Sequence, residues 1–282
     1  MPATTELTLD AVLPLTCTRD GVCCRNKAVW VNPWEVACLA AARLLPAAVF
    51  ADQHVEHGIR LRFNGTCSQY DPASGCLAHP GRPLACRLYP LGRERQGERV
   101  RYVHEGKRFP CLDACPTVIS LPRMRVDAYL ADQRVGPGEA AQDAYLEMAA
   151  DLAEGAFVVL FESGLAQSRG AAVLTAWQQV VQADDATRTV LIGDEWLQRL
   201  ILPQVLADLA DAPAWIAAHR ATFQQTAQDA FGTLRTPAAL EAASVRFLAL
   251  ALHLLRALGA DPLAAGRGWL RSARERLAAG GV

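Results

Sequence analysis

The sequence lacks the features that would assign it at once to a secreted, membrane or nucleic-acid-binding class. Its 282 residues carry a formal net charge of −1, so no excess positive charge indicates a nucleic acid or an anionic membrane as partner. The N-terminal stretch MPATTELTLDAVLPL has no basic start, long apolar run or small-residue cleavage site, and we expect no signal peptide. The most apolar later stretch, VRFLALALHLLRALG, is interrupted by Arg246, His253 and Arg256 and is not expected to span a bilayer. We therefore expect a soluble, cytoplasmic protein.

Several familiar chemical motifs are also missing. No CxxC pair occurs, which excludes ordinary zinc fingers, zinc ribbons and thioredoxin-like redox motifs. The CxxxCxxC run of radical S-adenosylmethionine enzymes is absent. The sequence contains no P-loop, no GxGxxG and no HExxH, so the sites that those patterns indicate are not predicted.

Cysteines are present, but only in one part of the chain. Nine of them stand at positions 17, 23, 24, 38, 67, 76, 86, 111 and 115, and none occurs in the final 167 residues. This distribution indicates that the cysteines belong to one local structure. In a reducing cytosol, clustered thiols are more often metal ligands or redox groups than structural disulfides.

The two parts of the chain differ in pattern, and we predict a mainly α fold. Residues 1–116 are rich in Gly, Pro, Cys and Arg and predict a loop-rich cysteine and metal-binding module. One helix is expected after Asn32 as N-cap and Pro33 at its first position, and a short β-hairpin is expected to include Leu88, Leu91, Val100 and Tyr102. Loops of this length need support beyond an apolar core, which a metal centre provides.

Residues 117–282 predict an α-helical bundle, because segments rich in Ala and Leu alternate with Gly, Pro and Asp. One helix is predicted over residues 139–154, ending at Gly155. Another is predicted to begin at Thr236-Pro237 and to stop at Gly259, and the next to begin at Asp261-Pro262.

The cysteines form the candidate metal site. With Cys38 set aside as a core residue of the first helix, the predicted ligands are Cys17, Cys23, Cys24, Cys67, Cys76, Cys86, Cys111 and Cys115. Thiolates bind both zinc and iron–sulfur clusters, and each centre needs about four of them. The set could therefore serve two centres, or one centre together with redox or catalytic thiols.

The adjacent pair Cys23 and Cys24 favours an iron–sulfur cluster over zinc. Neighbouring Cα atoms lie about 3.8 Å apart, which is shorter than the usual disulfide separation, so a bond between the two thiols would be strained. Their side chains diverge, and a cubane cluster with irons facing several directions accommodates such a pair better than a single tetrahedral zinc ion.

These residues resemble the family of zinc- or iron-chelating domains named for its CxxCxxCC motif. The matching residues are Cys17, Cys23 and Cys24, then NPWEVACLA at 32–40, then Cys67 and Cys76, then Arg82, Pro83, Cys86, Arg87, Tyr89 and Pro90, and finally Cys111. The resemblance covers roughly residues 15–116. The sequence departs from the family pattern at Asp20, which replaces the second cysteine of the first motif.

The resemblance implies a function as well as a metal. The family is related to flagellin lysine methylases, so it implies a [4Fe-4S] cluster, S-adenosylmethionine as a cofactor of methyl transfer, and a protein as substrate or partner of the helical part. Arg82 and Arg87 flank candidate ligands. They are predicted to bind the cofactor by balancing the charge of an anionic cluster, to bind a substrate carboxylate, or to tie loops to backbone carbonyls. The alternative is a structural zinc site joined to a helical interaction module.

Overall fold

The computed structural model describes residues 5–15, 24–25, 28–97, 99–104 and 123–280. The chain is 62 % helical with short strands in its N-terminal part, so the predicted mainly α fold is confirmed. It divides into two compact units, one comprising Met1–Val29, Glu35–Val55 and Leu61–Ala140, and the other Trp30–Trp34, Glu56–Arg60 and Ala141–Val282. The boundary predicted between residues 116 and 117 lies outside the described residues and stays a prediction.

The strands of the N-terminal part are short. They are β1 (Thr5–Leu7), β2 (Val12–Pro14), β3 (Val55–Glu56), β4 (Arg60–Leu61), β5 (Phe63–Asn64), β6 (Thr66–Cys67), β7 (Tyr70–Asp71), β8 (Gly75–Cys76), β9 (Gly92–Gln96), β10 (Arg99–His104) and β11 (Arg123–Arg125). One sheet has three strands in the order β1-β10-β9, and the others pair β2 with β11, β3 with β4, β5 with β6 and β7 with β8. Strands of two residues bury little apolar surface, so the turns that connect them depend on other contacts.

The helices of this part are α1 (Pro33–Ala42), α2 (Ala47–His54), α3 (Leu84–Leu88) and α4 (Val126–Asp132), with a 3-10 turn at His79–Gly81. The helix predicted from Pro33 is therefore confirmed. The predicted hairpin is confirmed for Val100 and Tyr102, which lie in β10 and pair with β9. It is wrong for Leu88, which lies in α3, and for Leu91, which precedes β9. The physical reason is burial, because Leu84 and Leu88 pack on Val135.

Helices make up the rest of the chain. They are α5 (Gly136–Glu162), α6 (Leu165–Gln182), α7 (Asp185–Ile192), α8 (Asp194–Ile201), α9 (Ala212–Phe231), α10 (Pro237–Ala257) and α11 (Pro262–Ala278). Thr236 accepts a hydrogen bond from the backbone N–H of Ala239 at 3.3 Å, and Asp261 accepts one from Leu263 at 3.0 Å. Both predicted helix starts are confirmed, since each N-cap and its following proline act locally.

The helix predicted over residues 139–154 is longer than predicted. It runs through Gly155 to Glu162, so the predicted stop at Gly155 is wrong. A Cβ atom at Gly155 would lie 3.2 Å from the ring of Phe247. The glycine therefore permits a close approach between α5 and α10 instead of ending the helix.

Helix α10 is the core of the second unit. Residues Leu248 to Leu252 are fully buried, and α10 contacts α6, α7 and α11. Trp177 of α6 donates its indole N–H to Ser244 at 3.1 Å, and Ser244 donates in turn to the carbonyl of Ala156 at 3.1 Å. By length and composition α10 could cross a membrane, but 61 % of its most apolar window is buried inside the protein, as expected for a core helix.

Candidate metal centre

Four of the eight predicted ligands lie in the part of the chain that the structure describes. They are Cys24, Cys67, Cys76 and Cys86, and like Cys38 they are thiols rather than disulfides. The other four, Cys17, Cys23, Cys111 and Cys115, lie outside the described residues, as does Asp20.

A bridge beside Cys24 and Cys67 links two turns of the chain, although 42 residues separate the two cysteines in the sequence. Arg25 forms an isolated antiparallel bridge with Thr66. Cys24 itself lies in a 3-10 turn rather than in a strand. The bridge therefore brings the segment that contains Cys24 to the end of the hairpin formed by β5 and β6, without pairing Cys24 with Cys67.

Cys76 comes to the same region on the next hairpin. It lies in β8 and pairs with Tyr70 of β7, and the backbone N–H of Leu77 donates to the carbonyl of Gln69 at 2.8 Å. Because Gln69 is only two residues beyond Cys67, the two hairpins are joined next to both thiols. Cys67 and Cys76, two predicted ligands on neighbouring hairpins, are thus brought close enough for their thiols to interact.

The environment of Cys67 is that of a buried sulfur ligand. The residue is 8 % exposed, and burial raises the pKa of its thiol, with the neighbouring Cys76 thiol adding to the rise. The backbone N–H of Gln69 donates to the sulfur and opposes this shift. A thiolate here is unfavourable alone, whereas a bound metal cation would stabilise it.

Cys86 lies on α3, which is anchored from a distant part of the chain. The backbone N–H of Leu84, at the first position of α3, donates to the Glu35 carboxylate of α1 at 2.6 Å. Glu35 is buried, with 4 % exposure. This carboxylate acts as a helix cap supplied from 49 residues away, and it fixes α3, and with it Cys86, to α1.

Arg82 and Arg87 hold the loop around α3 in place. Arg82 donates to the carbonyl of His79 at 3.0 Å and to the side chain of Gln133. Arg87 donates to the carbonyls of Arg82 and Gln133, both at 2.9 Å, and to that of Pro80 at 2.6 Å. These contacts are those of the loop-tying alternative, and the predicted cofactor role of the two arginines stays a prediction.

The donor chemistry of this region fits a thiophilic metal, but the described thiols are only part of a ligand set. Within residues 5–15, 24–25, 28–97, 99–104 and 123–280, no three His, Cys, Asp or Glu side chains form a group that could hold a metal ion. A complete centre of about four thiolates would therefore need cysteines from outside those ranges.

Comparison with known proteins agrees with this chemistry. Residues 16–104 match the family model described as "CxxCxxCC: Putative zinc- or iron-chelating domain". This segment is a CxxCxxCC domain. The match contains six of the predicted ligands and ends before Cys111 and Cys115. No curated protein and no solved structure matches the chain.

Two signature stretches of the CxxCxxCC domain pack directly on each other. A Cβ atom added at Gly81 would clash with the carbonyl group of Cys38, lying 2.7 Å from its carbon, and would be 2.9 Å from Cβ of Ala42. Only glycine lets the 3-10 turn approach the backbone of α1 this closely. Cys38 itself lies on α1, where burial and the nearby Glu35 raise the pKa of its thiol to about 12, as expected for a core thiol.

This approach predicts that Gly81→Ala lowers the free energy of unfolding by about 1–3 kcal/mol, as overpacking does elsewhere. Denaturant unfolding measures the change. Gly136→Ala is the matched control, because no atom lies within 4 Å of the Cβ that it would add. Equal effects of the two substitutions would show that the contact with α1 is not tight.

Sequence reasoning missed the role of Glu35. Its position in the first turn of α1 predicts only an ordinary acid favoured by the helix dipole, whereas the structure shows a buried cap of a second helix. The sequence feature that could have indicated this role is the position of Glu35 directly after Pro33-Trp34, in a stretch that resembles the family pattern. Gln133 accepts hydrogen bonds from Arg82 and Arg87. No sequence feature indicated this role, because Gln133 lies beyond the segment that matches the family.

Proposed function

We propose that the CxxCxxCC domain of this protein binds a [4Fe-4S] cluster through its cysteine thiolates. The observation that carries the proposal is the juxtaposition of Cys67 and Cys76, two thiols on neighbouring hairpins, beside the Arg25–Thr66 bridge that brings in the segment of Cys24. Zinc or iron chelation is the activity given in the family description, and the cluster is our specification of it. Structural zinc is the alternative.

The proposed ligands are drawn from Cys17, Cys23, Cys24, Cys67, Cys76, Cys86, Cys111 and Cys115. The adjacent Cys23 and Cys24 favour a cluster, since diverging thiols suit several irons better than one tetrahedral ion. A [4Fe-4S] cluster would supply one-electron chemistry and would, like zinc, stabilise short loops. Arg82 and Arg87 would place positive charge beside it, which helps to balance an anionic cluster.

The setting of this centre is proposed on physical grounds. Thiols persist unpaired in a reducing compartment, which favours the cytoplasm. The helical part would present the surface for a protein substrate or partner. Methyl transfer from S-adenosylmethionine, which the resemblance implies, stays a prediction.

Anaerobic purification followed by metal analysis tests the proposal. We expect brown protein with stoichiometric iron and acid-labile sulfide, and an electron paramagnetic resonance signal after reduction. Colourless protein with one or two zinc ions per chain would establish the zinc alternative. Protein that holds neither metal after anaerobic reconstitution would contradict metal binding altogether.

A further inference from the structure

The second unit contains a cavity that the metal centre does not use. Its volume is about 570 Å³, and α5, α9 and the start of α10 line it. Four of the side chains that line it are buried, namely Met148, Leu152, Phe223 and Phe247. Cavities of this size with apolar and aromatic walls are typical of small-molecule sites.

The cavity exists because two parallel helices are bridged at one end only. Tyr145 contacts His219 at 2.9 Å, and the partners are 74 residues apart. Glu147 accepts a hydrogen bond from Arg220, and Asp151 accepts one from Gln224. The partners of each pair are 73 residues apart. The difference in residue number is nearly the same for all three pairs. This means that α5 and α9 run side by side in the same direction, since both helices rise 1.5 Å per residue.

Beyond this bridged half the cavity opens between the helices. Val158 and Glu162 of α5 line it on one side, and Phe231 and Arg235 line it on the other. Phe231 is held in place by stacking on Trp196, with ring centroids 4.8 Å apart. The open end is therefore a preformed gap with rigid aromatic walls.

Opposite charges stand at the open end without neutralising each other. Glu162 near the end of α5 and Arg235, which follows the end of α9, both line the cavity and are both exposed. Arg235 uses one terminal nitrogen to bond the carbonyls of Gly232 and Leu234, at 2.8 and 2.7 Å. Within the described residues, Glu162 has no ion pair and the remaining nitrogens of Arg235 have no acceptor.

We propose that this cavity binds a free amphiphile with an apolar body and a zwitterionic head. The body would lie among the phenylalanine and aliphatic side chains. The acidic part of the head would pair with Arg235, whose guanidinium suits oxyanions, and its cationic part would pair with Glu162. A head of a single charge would satisfy only one of the two residues.

Isothermal titration calorimetry with three ligands of equal chain length tests this chemistry. Decylphosphocholine, decanoate and decyltrimethylammonium are titrated into the full-length protein below their micelle concentrations. We expect one molecule of decylphosphocholine to bind roughly tenfold more tightly than either singly charged compound, as expected for one additional charge-assisted contact. No binding, or preference for a single charge, would overturn the proposal. Association with phosphatidylcholine vesicles without binding of the monomer would also overturn it.

Variants locate the ligand. Val158→Trp would fill the open end from an exposed position, and we expect it to weaken binding at least tenfold. Val190→Trp, at an exposed position on α7 outside the cavity lining, is the matched control and should leave binding unchanged.

Two charge variants test the recognition of the head group. Glu162→Gln should remove the preference for decylphosphocholine over decanoate, and Arg235→Gln should remove its preference over decyltrimethylammonium. Circular dichroism confirms that each variant is folded, and equal binding by both tryptophan variants would contradict this location.

Discussion

Cys67→Ser should remove most of the bound metal from the protein. Cys67 is the described thiol with the most support as a ligand, since it is buried, it interacts with the Cys76 thiol, and it directly follows Thr66 of the bridge to Arg25. Serine keeps the size of the side chain but is a poor ligand for zinc or iron at neutral pH. Loss of a residue that only supports a ligand costs about 10–100-fold in metal affinity, and we expect loss of the ligand itself to cost more.

A fall in stability should accompany the loss of metal. Structural metal sites contribute on the order of 10 kcal/mol to folding, and the hairpins that carry Cys67 and Cys76 have strands of only two residues. Metal per chain, measured by elemental analysis after anaerobic reconstitution, and thermal unfolding report the two effects.

Cys38→Ser is the matched control for Cys67→Ser. It makes the same substitution within the CxxCxxCC domain, at a thiol on α1 that is interpreted as a core residue. We expect Cys38→Ser to retain its metal. If Cys38→Ser loses metal while Cys67→Ser keeps it, the assignment of ligands is wrong even if the domain binds metal.

The sequence predicts what local interactions determine. The helix starts at Pro33, Thr236-Pro237 and Asp261-Pro262 are where they were expected, because a capping oxygen and a proline act within one turn. The sequence also predicts cysteine as the ligand type, because nine cysteines confined to one part of a chain are unusual.

Long-range packing explains what the sequence did not predict. Leu88 was placed in a strand, but α3 forms around it because the Leu84 N–H finds a carboxylate 49 residues away. Helix α5 passes through Gly155 because the space beside that glycine is taken by Phe247. The approach of the Cys24 segment to the hairpin of Cys67 likewise depends on one bridge between Arg25 and Thr66, which no periodicity reveals.

Two buried histidines should make the protein sensitive to acid. Burial lowers the pKa of His219 to about 4. Burial also lowers the pKa of His253 to about 4, where the hydrogen bond with the His57 backbone and the Asp185 charge oppose the shift and the Arg188 charge adds to it. The ordinary value is about 6.5. The unfolded chain therefore binds protons more readily than the folded protein between these two pH values.

The sign of the effect follows from proton linkage. Stability is greatest above about pH 6.5 and falls as the pH is lowered toward 4, because protonation then favours the unfolded state. Each histidine should cost about 3 kcal/mol across this window. Denaturant unfolding at a series of pH values measures the slope.

The environments of the two rings explain why both are neutral when folded. His253 contacts the carbonyl of His57 at 2.9 Å, near the buried Arg188, which is paired with Asp185 at 2.9 Å. His219 contacts the hydroxyl of Tyr145 at 2.9 Å and is surrounded by the rings of Trp215 and Phe223. The Asp185 carboxylate near His253 is paired with Arg188, so its effect does not outweigh that of burial.

His253→Gln should therefore reduce the slope of unfolding free energy against pH, by up to about 1.4 kcal/mol per pH unit within the window. Glutamine can still donate to the carbonyl of His57, so the loss of the titrating group is the main change. Tyr145→Phe is the control, because it removes a partner of His219 and keeps both imidazoles. It should lower stability at every pH and leave a steep slope. An unchanged slope in His253→Gln would show that this imidazole is already protonated in the folded protein, and that burial does not set its charge.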